Sequence, residues 1–184
     1  MIAADFDGTL VDPPKKGEPP QNQNIGNSAA GKDIIAYLKA GGILVVNSGN
    51  EISRVISRIK EHVPKEFRGN VLIAASGGNT LWGFDKDGNE LEITAFRETA
   101  LSIPTEEEHI FNCIYLGDDK RAKGNDRAGF EFADKDHSIC VGTDLHLEPA
   151  AHEFLDEEHI IRGGPAASAH IFREVLKTAA STIK

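Results

Sequence analysis

Cysteine is scarce in this chain. Cys113 and Cys140 are the two it has in 184 residues, and both fall within short apolar runs. They read as reduced core residues, which predicts a reducing, cytoplasmic setting; a disulfide would need the two runs to be neighbouring strands with suitable geometry. Long hydrophobic runs are missing, so nothing in the sequence is expected to span a bilayer. Met1 leads straight into an apolar stretch, which is read as leaving no room for a signal peptide. Basic blocks are missing too. Lysine and arginine number 20 against 29 acidic residues, and the net charge of −9 argues against a broad nucleic-acid footprint.

Several familiar site patterns also fail. The seven histidines show no zinc-like spacing. Gly26 to Lys32 approaches a P-loop, but Asp33 stands where a Ser or Thr is required and no strand precedes the run. In Asp85-Lys86-Asp87-Gly88 the glycine comes too early for a calcium loop, so a hairpin turn is expected there.

What is present is the balance of an ordinary globule, 40% hydrophobic and 27% charged, with a length suited to a single domain over residues 1–184. Strand-like runs alternate with helical patterns, which predicts an α/β fold with a doubly wound, mostly parallel sheet, helices on both faces and a β-hairpin extension. Strands are expected at Ile2–Asp5, Ile43–Val46, Val71–Ala75, Phe111–Leu116, Ser138–Val141 and His159–Ile161, with a hairpin of Thr80–Phe84 and Leu91–Ile93. Helices are expected over Ala29–Ala40, capped by Asn27 or Ser28, and after Asn50, with Ile52, Val55, Ile56, Ile59 and Val63 at core spacing. Further helices are predicted near Arg97–Ser102 and Glu148–Leu155, and Pro165 is expected to open the last one.

Chemistry concentrates at the start. Ile2-Ala3-Ala4 runs into Asp5-Phe6-Asp7-Gly8-Thr9, two carboxylates at the carboxyl end of a strand, where open α/β sheets place their ligands. Converging carboxylates repel unless a proton or cation lies between them, so the pair suggests a metal site with a nucleophile. The competing reading is a plain turn after a strand. At the end of the second strand, Ser48-Gly49 offers a hydroxyl and a backbone N–H, either an anion site or a helix cap. Gly117-Asp118-Asp119, followed by Asn125 and Asp126, is either further all-oxygen ligation suited to Mg²⁺ or a solvated acidic loop.

In this order the motifs resemble the haloacid dehalogenase superfamily, the aspartate-nucleophile phosphatases. Asp5 to Asp12 is similar to its first motif, Ser48 to its second, and Gly117-Asp118-Asp119 with Gly124-Asn125-Asp126 to its metal-binding fourth. The third motif is a lysine opening a helix ahead of the fourth. Here Arg97 takes that place, with Lys120 or Lys123 as other sources of the charge. The Cof-type branch, rich in sugar phosphatases, is the nearest in character. Tyr115 to Asp119 is also similar to the trehalose-phosphate phosphatases of that branch. Besides Arg97 for the lysine, two further departures stand out: Lys120-Arg121-Ala122-Lys123 interrupts the fourth motif, and only Gly88 to Phe96 occupies the place of the branch's large cap.

The resemblance implies a Mg²⁺-dependent phosphomonoesterase acting on a small phosphorylated metabolite such as a sugar phosphate. Asp5 would be nucleophile and metal ligand, and Asp7 would be acid–base, its backbone carbonyl also meeting the metal. Asp118 would complete the ligands, with Asp119, Asn125 and Asp126 in support. Ser48, Gly49 and Arg97 would hold the phosphoryl group. The same features fit a phosphotransferase or mutase that passes the phosphoryl group to another hydroxyl, and a non-catalytic phosphoryl-binding protein that kept the fold. Without a cap, the site would be covered by a homo-oligomeric neighbour, by the loop Pro13–Asn24, or by a large substrate itself.

Overall fold

The computed structural model describes residues 1–77, 79–93, 114–119, 126, 129, 138–141, 161 and 163–182. In chain order the elements are β1 (Ile2–Asp5), α1 (Gly31–Lys39), β2 (Leu44–Asn47), α2 (Ile52–Lys60), β3 (Val71–Ala75), β4 (Thr80–Phe84), β5 (Glu90–Glu92), β6 (Ile114–Gly117), β7 (Ser138–Cys140) and α3 (Pro165–Thr182). The strands form one seven-stranded sheet in the order β5-β4-β3-β2-β1-β6-β7. The five strands β3, β2, β1, β6 and β7 run parallel, and β4 and β5 add an antiparallel hairpin at one edge. The fold is therefore α/β with a mostly parallel sheet, as the alternating pattern predicts.

Strands β1, β2 and β3 alternate buried with half-buried positions, so Ile2, Ala4, Leu44, Val46, Val71 and Ile73 form one sealed layer. Helix α1 contributes Ile34 and Leu38 to the core, α2 contributes Val55, Ile56 and Ile59, and α3 contributes Ala167, Ile171 and Phe172. Tyr37 of α1 meets Phe172 of α3 edge to face at 5.2 Å, the arrangement that the ring quadrupoles favour. The hairpin closes at Asp85–Gly88 as expected, with Gly88 at φ +70° and the Asp85 carboxylate accepting from the N–H groups of Asp87 and Asn89.

Several boundaries differ from expectation: β5 spans Glu90–Glu92 rather than Leu91–Ile93, β6 runs on to Gly117, and β7 ends at Cys140. Helix α1 starts at Gly31, after an Ala30 cap, because Ser28 is engaged elsewhere: its hydroxyl donates to the Leu10 carbonyl and accepts from the Ala30 N–H. Strand β2 begins at Leu44 and carries on through Asn47, which stands opposite Asp5. The helices predicted near Arg97–Ser102 and Glu148–Leu155 lie outside the described residues, as do Phe111–Cys113 and His159–Ile160. Ile161 is described, and its N–H donates to the Cys140 carbonyl. Cys140 is fully buried, as predicted. Among the described residues no helix is long and apolar enough to cross a membrane.

Candidate active site

Because β2, β1 and β6 are adjacent and parallel, their carboxyl ends share one edge of the sheet. Register places Ala4 beside both Val46 and Leu116, and Asp5 beside Asn47. Asp5, Ser48 and Asp118 therefore leave the sheet at the same edge from three neighbouring strands.

After β1 the chain turns tightly. The N–H groups of Leu10 and Val11 both donate to the Phe6 carbonyl, and the Gly8 N–H donates to the Val11 carbonyl. Gly8 adopts φ +93°, and a Cβ there would lie 2.2 Å from Asp118 Oδ2. The backbone angle calls for glycine, and any side chain there would have to push the Asp118 carboxylate aside. The turn is braced from the opposite end of the chain, where Ser168 of α3 donates to the Thr9 carbonyl at 2.7 Å.

Asp5, Asp118 and Asp126 each present a carboxylate oxygen, all within 4.8 Å of one another. Asp126 is 1% exposed. Its Oδ2 accepts from the backbone N–H groups of Asp118 (2.9 Å) and Asp119 (3.0 Å), and its Oδ1 accepts from the Tyr115 hydroxyl at 3.0 Å. Asp126 thus shapes the loop that carries Asp118 as well as facing Asp5. Burial raises the Asp126 carboxyl above its ordinary range, against the opposing hydrogen bonds.

Asp5 is pushed well above the ordinary carboxyl range, first by burial and then by the charges of Asp126 and Asp118; a hydrogen bond from the Phe6 backbone opposes the shift, and Asp7 adds a smaller push. Burial foremost also raises the Tyr115 phenol, so it stays a neutral donor. Among the described residues the group is made of carboxylate oxygens alone, a donor set that suits a hard divalent cation such as Mg²⁺. A cation among them would reverse the local field and return Asp5 to its ionised form.

Asp7 points elsewhere. Its carboxylate lies outside that group of three and takes both arms of the buried Arg58 guanidinium, Nη2 on Oδ1 at 2.5 Å and Nη1 on Oδ2 at 3.3 Å. Asn50 Nδ2 adds a third bond to Oδ2 at 3.0 Å. The resemblance places the Asp7 backbone carbonyl, not its side chain, at the metal and Asp126 in support; in the structure Asp126 stands in the carboxylate group with Asp5 and Asp118, and the Asp7 side chain lies apart from it. The signal for Arg58 lay in the helical spacing. It follows Val55 by three residues, on the face of α2 that the apolar pattern assigns to the core, and a charge there needs a partner.

Ser48 is 3% exposed, and its hydroxyl accepts from the Asn50 N–H at 3.1 Å. The N-cap of α2 is Glu51, so Ser48 is not the helix cap. Gly49 is exposed, and an added Cβ would meet nothing within 4 Å among the described residues. Asp119 is 8% exposed. Arg97, Lys120, Lys123 and Asn125 lie outside the described residues. No model of a known protein family matches the chain, and no curated protein matches it in sequence.

Proposed function

We propose that the chain is a Mg²⁺-dependent phosphomonoesterase of the haloacid dehalogenase type, on a doubly wound, Rossmann-like sheet. The observation that carries this reading is the convergence of Asp5, Asp118 and Asp126, with Ser48 one residue beyond the neighbouring strand. Support for the doubly wound arrangement comes from strand order, since β2 and β3 lie to one side of β1, and β6 and β7 to the other. Such reversals open a crevice at the carboxyl ends of the strands.

In this reading an Asp5 oxygen attacks phosphorus, forming a P–O bond as the bond to the leaving oxygen breaks. Asp7 gives its proton to that leaving oxygen, then takes one from the water that hydrolyses the aspartyl-phosphate. Ser48, the Gly49 N–H and Arg97 hold the equatorial phosphoryl oxygens, where charge must be stabilised. Mg²⁺ held by Asp5, Asp118 and Asp126 would screen the repulsion between carboxylate and phosphate.

The test is release of inorganic phosphate from 4-nitrophenyl phosphate. Turnover is expected to require Mg²⁺, to stop reversibly with EDTA, and to disappear in Asp5→Asn. Full activity in Asp5→Asn refutes the mechanism. Consumption of substrate without free phosphate, with product appearing on an added sugar, points instead to a phosphotransferase.

A further inference from the structure

Arg58 is the largest fully buried side chain among the described residues, and its guanidinium reaches the turn that carries Asp7 and the loop beside it. Two of its nitrogens fork onto the two oxygens of Asp7. The guanidinium carbon sits 4.5 Å from the centre of the Phe6 ring, the residue between Asp5 and Asp7. Nε donates to the Gln23 carbonyl at 2.5 Å, and the Arg58 carbonyl accepts from the Ile25 N–H at 3.1 Å. One side chain thus joins α2, the turn after β1 and the end of the Pro13–Asn24 loop.

Resting on the phosphatase reading above, we infer that Arg58 is a positioning residue for Asp7: with Asn50 it fixes the carboxylate so that one oxygen faces the leaving group. A carboxylate has about four acceptor sites in all. Arg58 and Asn50 fill two on Oδ2 and one on Oδ1, so among the described residues the open site on Oδ1 is where the proton taken from water in one turnover is carried to the leaving oxygen of the next. The Asp7 side chain keeps 19% of its surface exposed, so that site is reachable from solvent, whereas Arg58 is 1% exposed. A planar fork stacked on a ring sets both the place and the tilt of the carboxylate. A lysine ammonium holds neither, because it is a single point charge on a flexible stem.

Positioning of a proton donor has a kinetic signature of its own. A 4-nitrophenolate leaves readily without a proton, whereas an alkoxide does not, so losing the donor's alignment costs more as the leaving group becomes more basic. The experiment measures kcat and KM for 4-nitrophenyl, phenyl and ethyl phosphate with the wild-type chain, Arg58→Lys and Asn50→Ala, each with Mg²⁺. Arg58→Lys is expected to lose about 100-fold more kcat on ethyl than on 4-nitrophenyl phosphate, with KM little changed, given the size of general-acid effects. Asn50→Ala, on a half-exposed loop, is expected to shift the same ratio several-fold in the same direction, and it decides the matter if Arg58→Lys fails to fold. An unchanged ratio in the folded variants, whether activity is retained or falls equally on all three substrates, overturns the inference and leaves the phosphatase reading standing. A wild-type chain that turns over none of the three overturns both.

Discussion

Replacing Asp126 by asparagine sets two effects of similar size against each other, and only one of them depends on a cation. In the metal-free protein the Asp126 carboxylate faces Asp5 and Asp118 with oxygens within 4.8 Å. With Asp5 holding its proton, the charged pair is Asp126 and Asp118, and two unit charges at that separation, at an effective dielectric constant of 20, repel by about 3 kcal/mol. Asparagine removes that repulsion. It also turns three hydrogen bonds to a charged acceptor into neutral ones, each weaker by roughly 1 kcal/mol. The amide oxygen still meets the two N–H groups, and the Tyr115 hydroxyl can rotate to accept from the amide nitrogen. The terms nearly cancel, so in EDTA the unfolding midpoint of Asp126→Asn should fall within a few degrees of wild type.

Mg²⁺ breaks the balance. A cation at 100 times its dissociation constant stabilises a folded protein by about 2.7 kcal/mol. For a chain of this length that amounts to roughly 5–10 °C in Tm. Wild type should show this rise, and Asp126→Asn should lose most of it. Differential scanning fluorimetry with and without Mg²⁺ reads both numbers. A wild-type midpoint indifferent to Mg²⁺, or an Asp126→Asn variant that keeps the full rise, would refute the assignment of Asp126 to the cation.

Two further outcomes follow from the same geometry. Asp5 and Asp126 are raised above the ordinary carboxyl value of 3.8, so the folded state holds protons that the unfolded state has released. Their contribution is fully present below pH 3.8 and is lost as pH rises through the raised folded values, so metal-free protein should lose stability over that range. Mg²⁺ should flatten the dependence; a metal-free Tm that climbs over the same range would contradict the raised values. Gly8→Ala puts a methyl 2.2 Å from Asp118 Oδ2 on a backbone at φ +93°. It should cost about 1–3 kcal/mol in denaturant unfolding and reduce the Mg²⁺-induced rise, and an unperturbed midpoint with full Mg²⁺ response would refute the close packing of Gly8 on Asp118.

Much of the architecture was legible because periodicity is a local property. The runs Ile2–Asp5 and Val71–Ala75 appear as strands with the expected bounds, and Pro165 opens α3 because its fixed φ suits a first helical turn. Boundaries shifted where a side chain found a partner far along the chain. Ser28 left its capping role to bond Leu10, and no pattern around Ser28 announces that.

Asp5, Asp7, Ser48 and Asp118 could be singled out by residue type and by their places at strand ends. Which carboxylates share a space depended on strand order, since β6 must lie beside β1 for Asp118 to reach the Gly8 turn. The same packing moved Asp126 from supporting residue into the carboxylate group. It also brought α2 over Phe6, so that Arg58, a charge in the apolar spacing of its helix, found Asp7. The sequence determined the elements and the chemical groups, because both are written residue by residue. Tertiary structure decided how the acids divide, three gathered together and one clamped by arginine, because charges buried together must be compensated by whatever the fold brings within reach.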